Sequence, residues 1–93
     1  MAAHSLLFTP QAIRDLKKLL PSIQSAILKN LETLSGLSHP LSSPQVKKLK
    51  GRKDYYHLRV GDFRAVFRTT SEELKVLRIF DRKDLDKILA RLW

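Results

Sequence analysis

The chain is predicted to be an α+β protein: a small, mainly antiparallel sheet with an N-terminal αα-hairpin on one face and a C-terminal helix. Three observations carry that expectation. Apolar residues recur at helical spacing between residues 10 and 35, then at alternate positions from residue 55 onward, and return to helical spacing after residue 81. A Gly-Asp dipeptide at 61–62 separates two alternating runs, which suits a two-residue hairpin. Ninety-three residues suffice for one domain spanning 1–93.

In chain order, residues 4–8 (HSLLF) read as a short strand. Thr9-Pro10 then starts a helix, with a hydroxyl in the cap position and proline at the first helical position, where its missing N–H costs nothing. Ile13, Leu16, Leu19 and Leu20 form its expected apolar stripe, with Arg14, Lys17 and Lys18 outward. Pro21 interrupts, and Ser22 is expected to cap a second helix carrying Ile23, Ile27, Leu31 and Leu34. Gly36 ends it as a C′ residue. Residues 36–46 (GLSHPLSSPQV) have the composition of a loop.

Strands follow at 55–60 and 63–68. A type II′ turn at Gly61-Asp62 places Val60 opposite Phe63, Leu58 opposite Ala65 and Tyr56 opposite Phe67, giving one apolar face. It also places Arg59 opposite Arg64, His57 opposite Val66 and Tyr55 opposite Arg68, giving a basic-aromatic face. Residues 74–80 (LKVLRIF) suggest a central strand buried on both sides. Asp81 caps a last helix to about Leu92, with Leu85, Ile88, Leu89 and Leu92 inward. The order is β-α-α-β-β-β-α, and the sheet face away from the αα-hairpin is expected to stay partly open.

Charge is concentrated on that C-terminal half. The formal net charge is +9, and the segment 47–68 holds eight cations against two carboxylates, which leaves six of those nine. A solvated basic surface explains such a run, but its concentration favours a polyanion-binding face. With no cysteine there are no disulfides or thiolate metal sites, which fits a reducing cytoplasm. No signal-peptide pattern opens the chain, and no apolar stretch approaches a membrane span. No metal-ligand cluster, phosphate-cradling glycine loop or Ser-His-Asp arrangement is present, so neither cofactor nor metal is expected.

The residues with chemical promise lie on the basic-aromatic face. Like charges opposite one another destabilise an antiparallel pair, and an anion between Arg59 and Arg64 converts that repulsion into attraction. The alternatives are guanidiniums splayed into water or a register shifted by one. His57, one ladder position away, titrates near neutrality and is suited to take a proton from a ribose 2′-hydroxyl while arginines stabilise the phosphorane. Tyr55 is placed either to stack on a base or to pack across the strands. Lys47, Lys48, Lys50, Arg52, Lys53 and Arg68 are suited to RNA backbone contact. His4 and His39 lack such company.

The run KKLKGRKDYYHLRVGDFRAVFR, the later VLRIFDRKDL and the N-terminal FTPQAIRDLKKL together resemble the RelE/ParE family of bacterial toxins, and the likeness covers nearly the whole chain. The resemblance implies a RelE-like fold and a type II toxin–antitoxin system, with a cognate, mostly acidic antitoxin forming a hetero-oligomer. For the RelE-like branch it implies a metal-independent endoribonuclease that enters the 70S ribosome, cleaves mRNA in the A site and stops translation. Carried across by position, the catalytic set falls on His57, Arg59, Arg64 and Arg82. Two departures stand out: the neighbourhood Asp84-Leu85-Asp86-Lys87-Ile88 has no tyrosine, and Asp81 stands where a histidine is usual. The alternatives are a ParE-like poison of DNA gyrase without nuclease activity, or an inactive binding module that titrates an antitoxin.

Overall fold

A computed structural model describes residues 3–92, apart from the side chain of Leu92, so that residue's expected place on an inner stripe lies outside the described part. Strand β1 (Ser5–Phe8) leads into α1 (Pro10–Lys17), α2 (Pro21–Ser35), β2 (Val46–Lys48), β3 (Tyr56–Val60), β4 (Phe63–Thr69), β5 (Glu73–Asp81) and α3 (Leu85–Leu92). The five strands form one sheet in the order β1-β5-β4-β3-β2. β1 runs parallel to β5 and every other pairing is antiparallel.

The Thr9 hydroxyl accepts from the Ala12 N–H at 3.1 Å, with Pro10 in the first turn, as the sequence dictates. α1 nevertheless ends at Lys17 and not near Leu20. Leu20 precedes proline, which disfavours helical backbone, and it adopts φ −60, ψ 145. Leu20 is therefore itself the cap residue of α2 with Pro21 next, and the expected cap Ser22 makes no capping bond. Gln24 donates to the Leu19 carbonyl at 2.7 Å and ties the two helices together. The inner stripe of α1 is rotated from the expected one: Ala12 and Asp15 are buried, with Leu16 and Leu19 packed on the core, whereas Ile13 and Leu20 are exposed. The rotation follows from Asp15, which turns inward to bind β5.

Gly36 closes α2 at φ −81, a right-handed conformation open to any residue, and not the left-handed C′ geometry expected. Of the expected loop, Pro40–Ser42 forms a 3-10 turn and Val46 already begins β2, which pairs Val46 with Leu58, Lys47 with His57 and Lys48 with Tyr56. β5 is an inner strand between β1 and β4, but the middle of the sheet is β4.

Two apolar clusters sandwich the sheet. Ile27, Leu31 and Leu34 of α2 and Ala12 of α1 pack on Leu58, Ala65, Phe67, Leu74, Val76 and Ile79. Each fully buried large side chain there contributes about 1.5–3 kcal/mol. On the opposite face Leu49, Val66 and Phe80 form a smaller cluster, and α3 covers it with Leu85, Ile88 and Leu89. α3 thus lies over part of the face that carries the charge, leaving its two ends uncovered.

The edge of β5 beyond β1 is closed by α1. Thr9 Oγ1 donates to the Leu77 carbonyl at 2.9 Å, and Asp15 accepts from the Ile79 N–H at 2.9 Å and from Arg78 Nε at 2.8 Å. This buried carboxylate stands beside a bulge in β5, where the register with β4 shifts between Val66 and Phe67.

Candidate nucleic-acid interface and active centre

The β3–β4 hairpin positions the site. Gly61 has φ +58, while Asp62 has no positive φ, the pattern of a type II′ turn. The register is the one such a turn dictates: Val60–Phe63, Arg59–Arg64, Leu58–Ala65, His57–Val66 and Tyr56–Phe67. The Arg59 N–H points away from β4 and donates to the Gln45 carbonyl at 2.9 Å. Arg59–Arg64 is therefore a non-hydrogen-bonded pair, the class with Cα atoms only about 4.5 Å apart and side chains closest. Two cations meet where the sheet brings side chains nearest together.

Arg64 is half-buried and folds back on the turn, its Nη1 donating to the Gly61 and Phe63 carbonyls at 2.9 Å each. Burial, then Arg59 and Arg82, pull its pKa below the usual arginine value, with Asp62 and Asp81 acting in the opposite direction. Arg82 joins the pair from the 3-10 turn Arg82–Asp84: its N–H donates to the Asp62 carbonyl at 2.7 Å. The Arg82–Asp62 ion pair, 3.6 Å long between largely exposed side chains, adds little to that backbone tether. Asp81 caps this 3-10 turn through the Lys83 N–H at 3.0 Å, one turn before the α-helix it was expected to start. Arg59 is exposed, and among the described residues its side chain has neither ion pair nor hydrogen bond.

His57 sits on the same face, opposite Lys47, and is 9% exposed. It borders a groove of about 370 Å³ between β2 and α3, shared with Lys47, Lys50, Leu85 and Asp86. Its Nδ1 is buried without a hydrogen-bond partner. Burial, then Arg64 and Lys47, lower its pKa below the usual histidine value, so the imidazole is neutral at pH 7. A neutral imidazole near Arg64, itself within reach of Arg59 and Arg82, joins a proton acceptor to an anion clamp.

The other predicted contact residues are more dispersed. Lys47 and Lys48 both border the groove, Lys48 from its exposed place opposite Tyr56 at the sheet edge. Lys50, Arg52 and Lys53 lie on the connection to β3, shaped by positive φ at Gly51 and Asp54. Tyr55 precedes β3 and packs partly against Leu49, Val66 and Phe80, while the Arg68 guanidinium lies 5.2 Å from its ring centroid. That contact preserves the expected Tyr55–Arg68 neighbourhood, although the ladder itself stops at Tyr56. The tether of Arg82 to Asp62 escaped the sequence reading, because its acceptor is a backbone carbonyl and leaves no trace in residue type. His4 is buried and bonded to the Ser35 carbonyl. Among the described residues no group of His, Cys, Asp or Glu is placed to hold a metal ion, and no helix is long and apolar enough to cross a membrane.

Known proteins share this fold. Residues 6–86 match the family model described as the ParE toxin of the type II toxin–antitoxin system parDE. The toxin–antitoxin complex RelBE2 from Mycobacterium tuberculosis contains a chain with TM-score 0.74 and 31% identity, the match covering 90% of this chain and 97% of that one. The RelB–RelE complex from Methanococcus jannaschii gives TM-score 0.72 and 24% identity over 88% and 96%. The intact RelBE complex of E. coli gives 0.64 and 25% over 85% and 96%. No curated protein matches the chain by sequence. With the matched family model spanning most of its length, the chain belongs to the ParE toxin family of type II toxin–antitoxin systems, within the RelE/ParE superfamily.

Proposed function

We propose that the protein is a ribosome-dependent, metal-independent endoribonuclease that cleaves mRNA in the A site. The observation that carries this reading is the convergence of Arg59 and Arg82 on Arg64, with a neutral, buried His57 close enough to Arg64 to feel its charge. A scissile phosphate seated among the guanidiniums relieves their mutual repulsion. His57 takes the 2′-hydroxyl proton as that oxygen attacks the adjacent phosphorus. The arginines hold the charge that grows on the phosphorane oxygens, and as the bond to the 5′-oxygen of the next nucleotide breaks that oxygen takes a proton from water, leaving a 2′,3′-cyclic phosphate. A histidine kept neutral is in the form a base requires, and Arg64 remains a cation throughout.

Lys47, Lys48, Lys50, Arg52 and Lys53 supply sequence-independent, salt-sensitive contact with RNA. The relatives from Mycobacterium tuberculosis and Methanococcus jannaschii were solved as complexes with an antitoxin, and a chain of net charge +9 suits a mostly acidic cognate antitoxin in the same cytoplasm. The second reading, a gyrase poison that binds protein, is favoured by the parDE description of the family model and by the absence of a tyrosine near the start of α3.

The test is incubation of purified toxin with mRNA, with and without programmed ribosomes carrying an empty A site. The proposal expects cuts within the A-site codon only in the presence of ribosomes. Absence of cleavage in both, from a toxin that still arrests growth and induces DNA damage, would establish the gyrase reading instead.

A further inference from the structure

Directly opposed cations occur twice in the described sheet. One pair is Arg59–Arg64; the other is Arg68–Lys75, across β4 and β5. Both lie on the α3 face, because Arg64, Val66 and Arg68 alternate along β4 and Val66 belongs to the α3 cluster. Arg68 and Lys75 are exposed. Glu73 shares a shallow pocket of about 220 Å³ with them, yet neither cation forms an ion pair with it. Arg68 instead lies over the ring of Tyr55, which is half-buried and so holds the guanidinium in place.

We infer that Arg68 and Lys75 form a second phosphate subsite for single-stranded RNA, with Tyr55 as the residue that positions Arg68. Four residues along β4 separate Arg68 from Arg64, about 14 Å of strand, so the phosphate bound here is a different one from that at the Arg59–Arg64 clamp. α3 lies between the two ends, and the groove beside it is bordered by Lys47, Lys50 and His57. The subsite would hold the message on one side of the bond being cut and fix which phosphate reaches Arg64. It shares its RNA ligand with the proposed function but stands on different residues.

The test uses the purified full-length chain and RNAs made uncleavable by 2′-O-methyl groups, a dinucleotide and a hexanucleotide, with affinity read by fluorescence anisotropy. The dinucleotide offers one phosphate and reports on the Arg59–Arg64 clamp. The variant R68A/K75A is expected to bind the hexanucleotide at least about tenfold more weakly and to keep its affinity for the dinucleotide. Its log–log salt slope should fall by about 0.7, for one lost phosphate contact to a single strand. Y55L is expected to give a smaller loss, and E73Q a gain of about twofold to threefold. Hexanucleotide affinity unchanged in R68A/K75A overturns the subsite, as does an equal loss for both RNAs. A variant that keeps the hexanucleotide but loses antitoxin also overturns it, by assigning the patch to an acidic peptide. Failure of the cleavage centre has a separate signature, absence of dinucleotide binding by the unmodified chain.

Discussion

Replacing His57 by leucine should make the protein more stable and inactive at once. The imidazole stands opposite Val66 and lines a groove with Leu49 and with Leu85 and Leu89 of α3, and its Nδ1 has no partner. An unsatisfied buried polar atom costs about 1–3 kcal/mol. Leucine has a similar volume and no polar atom, so a net gain of about 1 kcal/mol is expected at neutral pH, or about 4–8 °C in Tm for a domain of this size. The difference should widen in acid. Because His57 binds its proton less readily when folded than when unfolded, the unfolded chain takes up the extra proton as pH falls below about 6.5. The native protein then loses up to about 1.4 kcal/mol per pH unit until its own lowered pKa is reached, and above pH 6.5 this effect vanishes. His57→Leu should lack that loss, and its A-site cleavage should fall roughly 10²–10⁴-fold. Urea denaturation between pH 5 and pH 8, together with the ribosome cleavage assay, measures both halves. A His57→Leu protein less stable than its parent at neutral pH would show the histidine to be a packing element. Retained cleavage would remove it from the chemistry.

Arg64→Ala should lower cleavage about 10²–10³-fold while antitoxin affinity, measured by calorimetry, stays within a few-fold; a Lys at the same position cannot both hold the two turn carbonyls and grip a phosphate, and should recover little. Asp15→Ala strands the Ile79 N–H and the Arg78 guanidinium, and should cost about 3 kcal/mol in urea denaturation, less than a fully buried pair because Arg78 keeps some solvent. Asp15→Asn retains the bond to Ile79 and should cost about half as much. Gly61→Ala meets no atom within 4 Å, so its expected cost of about 1–2 kcal/mol is purely that of a side chain at φ +58. Thermal denaturation of that variant without loss of Tm would contradict the turn assignment.

The hairpin was legible because two effects agreed: Gly-Asp between alternating runs selects a II′ turn, and the turn sets every pair from Val60–Phe63 to Tyr56–Phe67. The proximity of Arg59 and Arg64 followed at once. Placement of α3 was not legible, since an amphipathic pattern shows that Leu85, Ile88 and Leu89 are buried without showing against which side of a sheet. For the same reason the burial of His57 beneath that helix could not be foreseen from the residues around it. β2 was hidden because Pro40 and Pro44 give the segment a loop composition almost to its first residue, and three basic-flanked residues carry no period. The stripe of α1 was misread because Asp15 scores as polar, whereas its partners, the Ile79 N–H and Arg78, lie more than sixty residues away.

The pairing of β1 with β5 has a consequence for the order in which the molecule is made. Ser5 finds its partner only at Glu73, 68 residues later, and Leu6 at Leu74. The β3–β4 hairpin is local and can close early, but contacts of such separation form late in folding. A chain emerging from its own ribosome therefore presents Arg59 and Arg64 long before the edge strand locks, and Arg82 reaches the Asp62 carbonyl only when β5 is complete. The cluster of His57, Arg59, Arg64 and Arg82 draws only on the second half of the sequence, so it cannot be complete before Arg82 has been synthesised.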